Sequence, residues 1–133
     1  MNNQKDPQPK GFEKAKNRAK DLLHDRRKLK ELLKQGEKKA NKKKEKLKTV
    51  WEDFQTLLRM IKSYWKKEYT EIPVKSLLFI VASILYFVNP FDVIPDFIPM
   101  TGLLDDLTVL SFVINSVKND IENFKLWESE KDE

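Results

Sequence analysis

The chain has 133 residues with 26 Lys or Arg, 21 Asp or Glu and no Cys, and its formal net charge is +5. A chain of this length forms one domain with an extension, and the lack of Cys excludes disulfides and cysteine-based zinc or redox sites. Residues 1–67 contain 22 basic and 9 acidic side chains whereas residues 68–133 contain 4 and 12, which indicates an anionic partner for the first half.

The first ten residues are polar, and Pro7 and Pro9 prevent a regular helix there. We therefore expect residues 1–10 to form a disordered tail. No apolar run follows Met1, so a secretory signal peptide is not expected.

A helical pattern begins at Phe12 and continues to about Lys48, with apolar residues at three- or four-residue spacing among Lys, Arg and Glu. It predicts a basic, charged helical extension over residues 11–48. Beyond Gly36 the apolar stripe fades, so this end is expected to bury little. The pattern leaves open whether residues 12–68 form one long helix or two.

The next helix carries a strong amphipathic signal from about residue 50 to residue 69. Thr49 and Glu52 fit a capping box, in which the Thr hydroxyl accepts from a first-turn N–H and the Glu reaches back. Trp51 and Trp65 lie among Lys and Arg, a composition that is also typical of a helix at a membrane interface.

A third helix is predicted to start at Ile72 and Pro73, because Pro is tolerated in a first turn. From Leu77 to Val88 it is apolar on every face except at Ser83, so either protein or a membrane must cover it. It falls short of the roughly 20 apolar residues that a bilayer span needs. The membrane-facing candidates are Leu77, Leu78, Phe79, Ile80, Val81, Ile84, Leu85, Phe87 and Val88.

The segment over residues 89–106 is a connection with the composition of a core. Pro90, Pro95 and Pro99 each fix their own φ and push the preceding residue out of the helical region, so this segment is not a regular helix. Its apolar side chains lie among four carboxylates, Asp92, Asp96, Asp105 and Asp106. We therefore expect it to pack against protein or membrane, where an unpaired charge is costly.

This proline-spaced segment carries a family resemblance. Its characteristic positions are Tyr86, Pro90, Asp92, Ile94, Pro95, Asp96, Phe97, Ile98, Pro99, Gly102, Leu104, Asp105 and Asp106. In this spacing the chain resembles the YkvA-like family, the bacterial domain of unknown function 1232, over roughly residues 50–125. The resemblance implies a small prokaryotic helical protein that is membrane-associated and has no established activity. It places a YkvA-like helical domain at residues 49–126.

Three interpretations of the carboxylates in this segment stay open. In the first, they cap turns and helix ends, with Thr101 as the N-cap of a fourth helix. In the second, Asp92, Asp96, Asp105 and Asp106 are candidates for ligands of Mg²⁺ or Ca²⁺. In the third, Asp92 and Asp96 form an intramembrane or interfacial pair that carries protons or meets a cationic partner. The motif residues with a structural or functional role are Pro90, Asp92, Ile94, Pro95, Asp96, Pro99, Gly102, Asp105 and Asp106.

Apolar residues at helical spacing predict a fourth helix over about residues 103–125. The mostly acidic segment over residues 127–133 is expected to be a disordered tail. The predicted fold class is all-α: a small helical bundle or hairpin with an apolar proline-rich loop and a long basic N-terminal helix. Two arrangements fit the pattern. In one, three helices form a soluble bundle around the third helix. In the other, the third and fourth helices form a re-entrant or spanning membrane hairpin.

The leading functional hypothesis is a non-enzymatic scaffold or adaptor at the cytoplasmic membrane, with the basic half on the cytoplasmic side facing anionic lipid. One alternative is a soluble cytoplasmic binding module whose basic arm engages nucleic acid or an acidic partner. Another is a metal-dependent activity at the Asp cluster. No catalytic residue and no cofactor are predicted, and the protein partner and oligomeric state stay open.

Overall fold

A computed structural model describes residues 12–88 and 106–131 of the chain. Within these ranges the helices are α1 (Phe12–Leu23), α2 (Arg26–Lys42), a 3-10 turn (Lys48–Val50), α3 (Trp51–Trp65), α4 (Val74–Val88), α5 (Asp106–Ser116) and α6 (Lys118–Lys131). The described ranges contain no strand, and the all-α prediction is confirmed. The predicted tail at residues 1–10 lies outside them.

The basic N-terminal half starts as two helices, with the break at His24 and Asp25. Asp25 has an extended backbone (φ −130°, ψ 91°), and its Oδ1 accepts a 3.2 Å hydrogen bond from the N–H of Lys28. This N-cap satisfies a main-chain donor that the first turn of α2 otherwise leaves unpaired. Residues 12–68 therefore form neither one long helix nor two, because the Asp25 cap separates α1 from α2 and the 3-10 turn precedes a third helix, α3.

Helix α4 lies at the centre of the described structure, in contact with α1, α2, α3 and α5. From Phe79 to Phe87 every side chain is buried. Ser83, which interrupts the apolar run, donates a 2.8 Å hydrogen bond to the main-chain oxygen of Ile80, so its hydroxyl is satisfied within its own helix. Each large apolar side chain that is fully buried here contributes roughly 1.5–3 kcal/mol to folding.

The basic helices supply part of the same core. The ring of Phe12 lies 5.3 Å from that of Phe79 in α4 and 5.5 Å from that of Phe112 in α5, edge-on in both pairs. Buried side chains on the inner faces of α1 and α2 include Ala15, Ala19, Leu29, Leu32, Leu33 and Ala40. The division into an extension over residues 11–48 and a domain over residues 49–126 stays a prediction, although both ranges contribute to one hydrophobic cluster.

Helix α2 approaches α4 closely at Gly36. A Cβ at this position would lie 3.1 Å from Cγ2 of Ile84, inside ordinary van der Waals distance. The chain beyond Gly36 was expected to bury little, yet Ala40 and Leu47 are fully buried. The missing side chain at Gly36 lets the two helices meet, and this close approach brings the later part of α2 into the core.

The start of α3 differs from the predicted capping box. Thr49 lies in the 3-10 turn, and the N-cap is Val50, which makes no side-chain capping hydrogen bond. The prediction for Thr49 and Glu52 is therefore wrong. The physical reason lies in Leu47, which is fully buried and whose main-chain oxygen accepts a 2.9 Å hydrogen bond from the N–H of Val50. Packing of this side chain fixes a tight turn where the local sequence favoured a cap.

Helix α3 ends at Trp65, earlier than the predicted end near residue 69. The N–H of Lys67 donates a 3.0 Å hydrogen bond to the oxygen of Tyr64, and the N–H of Glu68 donates a 2.9 Å one to the oxygen of Ser63. Lys67 itself has φ 62°, in the left-handed region. Together these features are a Schellman motif, which satisfies the last carbonyls of the helix and reverses the chain.

The predicted fourth helix is divided at Val117 into α5 and α6. Helical hydrogen bonds continue through the division, since the N–H of Val117 donates to Val113 (2.9 Å) and that of Ile121 donates to Val117 (3.0 Å). Helix α6 continues to Lys131, into residues expected to form a disordered tail. Arg59 of α3 makes hydrogen bonds of 2.7 and 3.0 Å to the carboxylate of Glu128, and this two-pronged, charge-assisted contact ties the acidic end to α3.

The observed packing corresponds to the bundle arrangement, in which α1 and α2 join the predicted helices around α4. Across residues 12–88 and 106–131, no helix combines the length and the apolar character that crossing a membrane requires.

Candidate functional site

The predicted motif residues fall almost entirely outside the described ranges. Pro90, Asp92, Ile94, Pro95, Asp96, Pro99, Gly102, Asp105 and the proposed cap Thr101 all belong to residues 89–105. Asp106 begins α5, but its side chain is not described. The three interpretations of these carboxylates therefore stay predictions. Elsewhere, within residues 12–88 and 106–131, no three His, Asp or Glu side chains gather in a way that could hold a metal ion.

The membrane-facing candidates of α4 are covered by protein. Leu77, Phe79, Ile80, Val81, Ile84, Leu85 and Phe87 are each at most 9% exposed. Leu78 and Val88 are half-buried and pack against the same core. In this conformation the apolar surface of α4 is used for contacts with the neighbouring helices instead of for contact with lipid.

The outward side of α1, α2 and the following turn is strongly basic. Because each helix buries one apolar stripe, its Lys and Arg side chains lie on the opposite side. We call this surface the basic face, and its exposed cations are Lys14, Arg18, Lys20, Arg26, Arg27, Lys28, Lys30, Lys34, Lys38, Lys42, Lys44, Lys46 and Lys48. The exposed carboxylates in the same stretch are Glu13, Asp21, Glu31 and Glu45. The basic face therefore carries a large excess of positive charge.

A cleft of about 370 Å³ opens beside Arg26 of the basic face, where the end of α1 and the start of α2 meet the end of α3. We call it the Trp65 cleft. Residues that line it include Leu23, Arg26, Leu29, Tyr64, Trp65 and Lys67. Two structural devices create it: the Asp25 cap, which turns the chain between α1 and α2, and the Schellman turn after α3.

Sequence reasoning found only half of this cleft. It identified Trp65 as an aromatic residue beside cations, but it did not bring Leu23 or Arg26 to the same place. Asp25 followed by a new apolar stripe was the available signal, because Asp is a preferred N-cap residue. The other lining residues could not be brought together from sequence, because α2 and the end of α3 are far apart along the chain.

The acidic half presents a different surface around Tyr69. Its ring packs 5.2 Å from that of Phe124 and 5.0 Å from that of Trp127. Burial raises the pKa of the Tyr69 phenol above its ordinary value, and the negative charges of Glu71 and then Asp120 raise the pKa further. The outer part of this cluster borders a cleft of about 400 Å³ that also includes Glu68, Glu71 and Glu130.

The buried polar side chains of the described ranges are all hydrogen-bonded. Each buried side-chain nitrogen or oxygen atom there has a partner. Thr56 of α3, for example, donates a 2.9 Å hydrogen bond to the main-chain oxygen of Glu52. The candidate sites of this part of the chain are therefore surfaces and clefts, and the basic face with the Trp65 cleft is the most extensive of them.

Comparison with known proteins gives a family without an assigned activity. Residues 76–112, which include most of α4 and the proline-spaced segment, match the family described as Protein of unknown function (DUF1232). The chain is 35% identical over 72 residues to the Uncharacterized membrane protein YkvA of Bacillus subtilis (strain 168), an alignment that covers 54% of this chain and 68% of the relative. No solved structure gives a significant match. The resemblance inferred from the proline spacing is confirmed.

Proposed function

This chain belongs to the DUF1232 family of YkvA-like proteins, and from that premise we propose that it is a non-enzymatic, membrane-associated helical protein. It docks on the anionic, cytoplasmic surface of the membrane through the basic face. The relative from Bacillus subtilis is called a membrane protein. The surface through which this chain would contact a membrane is inferred from its own charge distribution.

The observation that carries the proposal is the outward orientation of the basic face. Helices α1 and α2 bury their apolar stripes against the helices around them, and their cations consequently lie on the exposed side of each helix. Each Lys or Arg near an anionic leaflet contributes about 1 kcal/mol of attraction. The attraction extends over a Debye length of about 8 Å at physiological ionic strength, so only cations close to the membrane contribute.

The opposite charge of the C-terminal half supports a scaffold or adaptor role. Helix α6 and the turn before α4 expose carboxylates, among them Glu71, Glu122 and Glu130. An anionic leaflet does not attract these groups, and their exposure leaves them available to a protein partner with a basic surface.

Co-sedimentation with lipid vesicles tests the proposal. The protein is expected to sediment with vesicles that contain phosphatidylglycerol, and to stay in the supernatant with vesicles of phosphatidylcholine alone. Binding should disappear at roughly 1 M salt, where the Debye length shrinks to about 3 Å. Binding to duplex DNA in the absence of vesicle binding would contradict the proposal and favour the nucleic-acid alternative.

Two triple variants with the same loss of charge locate the contact. The first replaces Lys34, Lys38 and Lys46 of the basic face with Gln, and the matched control replaces Lys75, Lys118 and Lys131 with Gln. At about 1 kcal/mol per cation, the first variant should bind phosphatidylglycerol vesicles about 100-fold more weakly. The control should change binding much less. Equal losses in the two variants would mean that net charge, and not the basic face, determines binding.

A further inference from the structure

The Trp65 cleft has the chemistry of a site for a single amphiphile at the edge of the basic face. We propose that it holds one anionic phospholipid of the docked membrane, with the phosphate between Arg26 and Lys67 and the glycerol–acyl junction against Trp65. This inference rests on the proposed function. It adds a specific lipid contact to the long-range attraction of the basic face.

The wall of the cleft is apolar and aromatic. Leu29 is 2% exposed, while Leu23, Tyr64 and Trp65 are half-buried and leave part of their surface open. Trp and Tyr favour the boundary between lipid headgroups and acyl chains, because each combines an apolar ring with one polar group. A ligand that fills this cleft must therefore present apolar surface as well as charge.

The charge of the cleft is positive. Arg26 and Lys67 line it, and neither forms an ion pair with a carboxylate of the described residues. Three other clefts in the described part of the chain each include carboxylates: Asp21, Asp25 and Glu31 in one, Glu68, Glu71 and Glu130 in the next, and Asp53 and Glu122 in the last. Cations beside aromatic surface, without a carboxylate among the lining residues, fit a phosphate with an apolar attachment.

The backbone conformation of Lys67 adds a further observation. Its φ of 62° is a conformation that Gly adopts at no cost and that other residues rarely adopt. Strained positions of this kind persist where the surrounding structure fixes them, and they occur often at ligand sites. Here the Schellman turn fixes the backbone, and a Lys occupies the position where Gly would be the relaxed choice. That Lys lines the cleft.

The size of the cleft agrees with part of a lipid. Its volume of about 370 Å³ lies near the lower end of the roughly 300–1,000 Å³ typical of small-molecule sites. It can accept a phosphate and the adjoining glycerol region, while the acyl chains remain in the leaflet below. A lipid bound in this way would anchor the protein without a spanning helix.

Fluorescence of Trp65 tests the contact directly. The variant Trp51→Phe, Trp127→Phe leaves Trp65 as the single tryptophan. Its emission is expected to move to shorter wavelength and to be quenched by brominated acyl chains when vesicles contain phosphatidylglycerol. Vesicles of phosphatidylcholine alone should leave it unchanged. Vesicle binding without this quenching would overturn the lipid cleft and leave membrane docking intact.

Paired charge variants provide a second test that needs no tryptophan substitution. The variant Arg26→Gln, Lys67→Gln removes the two cleft cations, and the control Arg27→Gln, Lys66→Gln removes two exposed neighbours that do not line the cleft. A charge-assisted hydrogen bond to phosphate should make the first pair bind phosphatidylglycerol vesicles about tenfold more weakly than the control. Equal affinities of the two variants would overturn the inference. If the unsubstituted protein bound no vesicle, the proposed function would fail, and this inference with it.

Discussion

The Nζ of Lys39 in α2 donates a 2.6 Å hydrogen bond to the main-chain oxygen of Phe87 in α4, and it stands 5.2 Å from the centre of the Phe87 ring. The last carbonyls of a helix lack partners inside the helix and carry the negative end of its dipole. Phe87 lies in the last turn of α4, directly before the proline-spaced segment at residues 89–105. A cation of the basic half therefore stabilises the end of α4 at which the family motif begins.

Removing this contact should loosen the junction between α2 and α4. The variant Lys39→Met keeps most of the apolar stem and loses the donor, so we expect the free energy of unfolding to fall by about 1 kcal/mol. The measurement is urea unfolding followed by circular dichroism. Lys38→Met at the exposed neighbouring position is the control, and its change should stay within about 0.5 kcal/mol. Equal changes would show that the bond to Phe87 contributes nothing.

The contact between α2 and α4 at Gly36 gives a second prediction. Leu at this position would drive a side chain into Ile84 and Leu58, whose atoms already lie 3.1 and 3.8 Å from where a Cβ would be. Overpacking of this kind costs about 1–3 kcal/mol, so Gly36→Leu should lower the thermal midpoint. Lys34→Leu on the exposed side of the same helix should leave the midpoint nearly unchanged. A Gly36→Leu variant as stable as the original chain would contradict the observed packing of α2 on α4.

Much of this fold could be predicted from sequence, because its signals are local. The apolar run from Leu77 to Val88, interrupted only at Ser83, falls entirely within α4, and the stripes of α2 and α3 match the faces that they bury. What covers α4 could not be predicted, since an all-apolar helix fits a protein core and a membrane equally well. The answer depends on α1 and α2, whose charge suggested a solvated extension.

The errors have a common cause, which is packing between distant segments. Thr49 and Glu52 have the spacing of a capping box, but burial of Leu47 fixes a different turn. The role of Gly36 appears only beside Ile84 of α4, a contact that the sequence alone does not show. The Trp65 cleft likewise unites α2 with the end of α3. Of the predicted site, the proline spacing correctly identified the family, whereas the roles of its carboxylates are still predictions.

The Tyr69 phenol makes stability depend on alkaline pH. Burial, Glu71 and Asp120 raise its pKa in the folded protein above the ordinary value of 10.0, whereas the unfolded chain ionises near that value. The stabilising contribution is therefore fully present below pH 10.0, and it is lost as the pH rises through the folded-state pKa. We expect the free energy of unfolding to fall above pH 10.0, and to fall less in Tyr69→Phe.

Phenolate absorbance in the ultraviolet follows the same group directly. Glu71→Gln should shift the titration of Tyr69 to lower pH, but only part of the way towards 10.0, because burial is the larger cause. Subtracting the titration curve of Tyr69→Phe isolates this phenol from the other two tyrosines of the chain. A Tyr69 that titrates at its ordinary value would contradict the burial of its ring against Phe124 and Trp127.

Replacing Lys67 with Gly should change stability and lipid binding in opposite directions. Its left-handed backbone costs roughly 1–2 kcal/mol in a residue with a Cβ, so Lys67→Gly is expected to raise the free energy of unfolding by about 1 kcal/mol. Lys66→Gly, at a right-handed position with φ −81°, should instead lower it.

If Lys67 also holds a lipid phosphate, the more stable Lys67→Gly protein will bind phosphatidylglycerol vesicles more weakly than Lys66→Gly, although both have lost one charge. Urea unfolding and vesicle co-sedimentation on the same two variants measure both effects. A Lys67→Gly protein that gained stability and lost no affinity would mean that the strained lysine has no part in lipid binding.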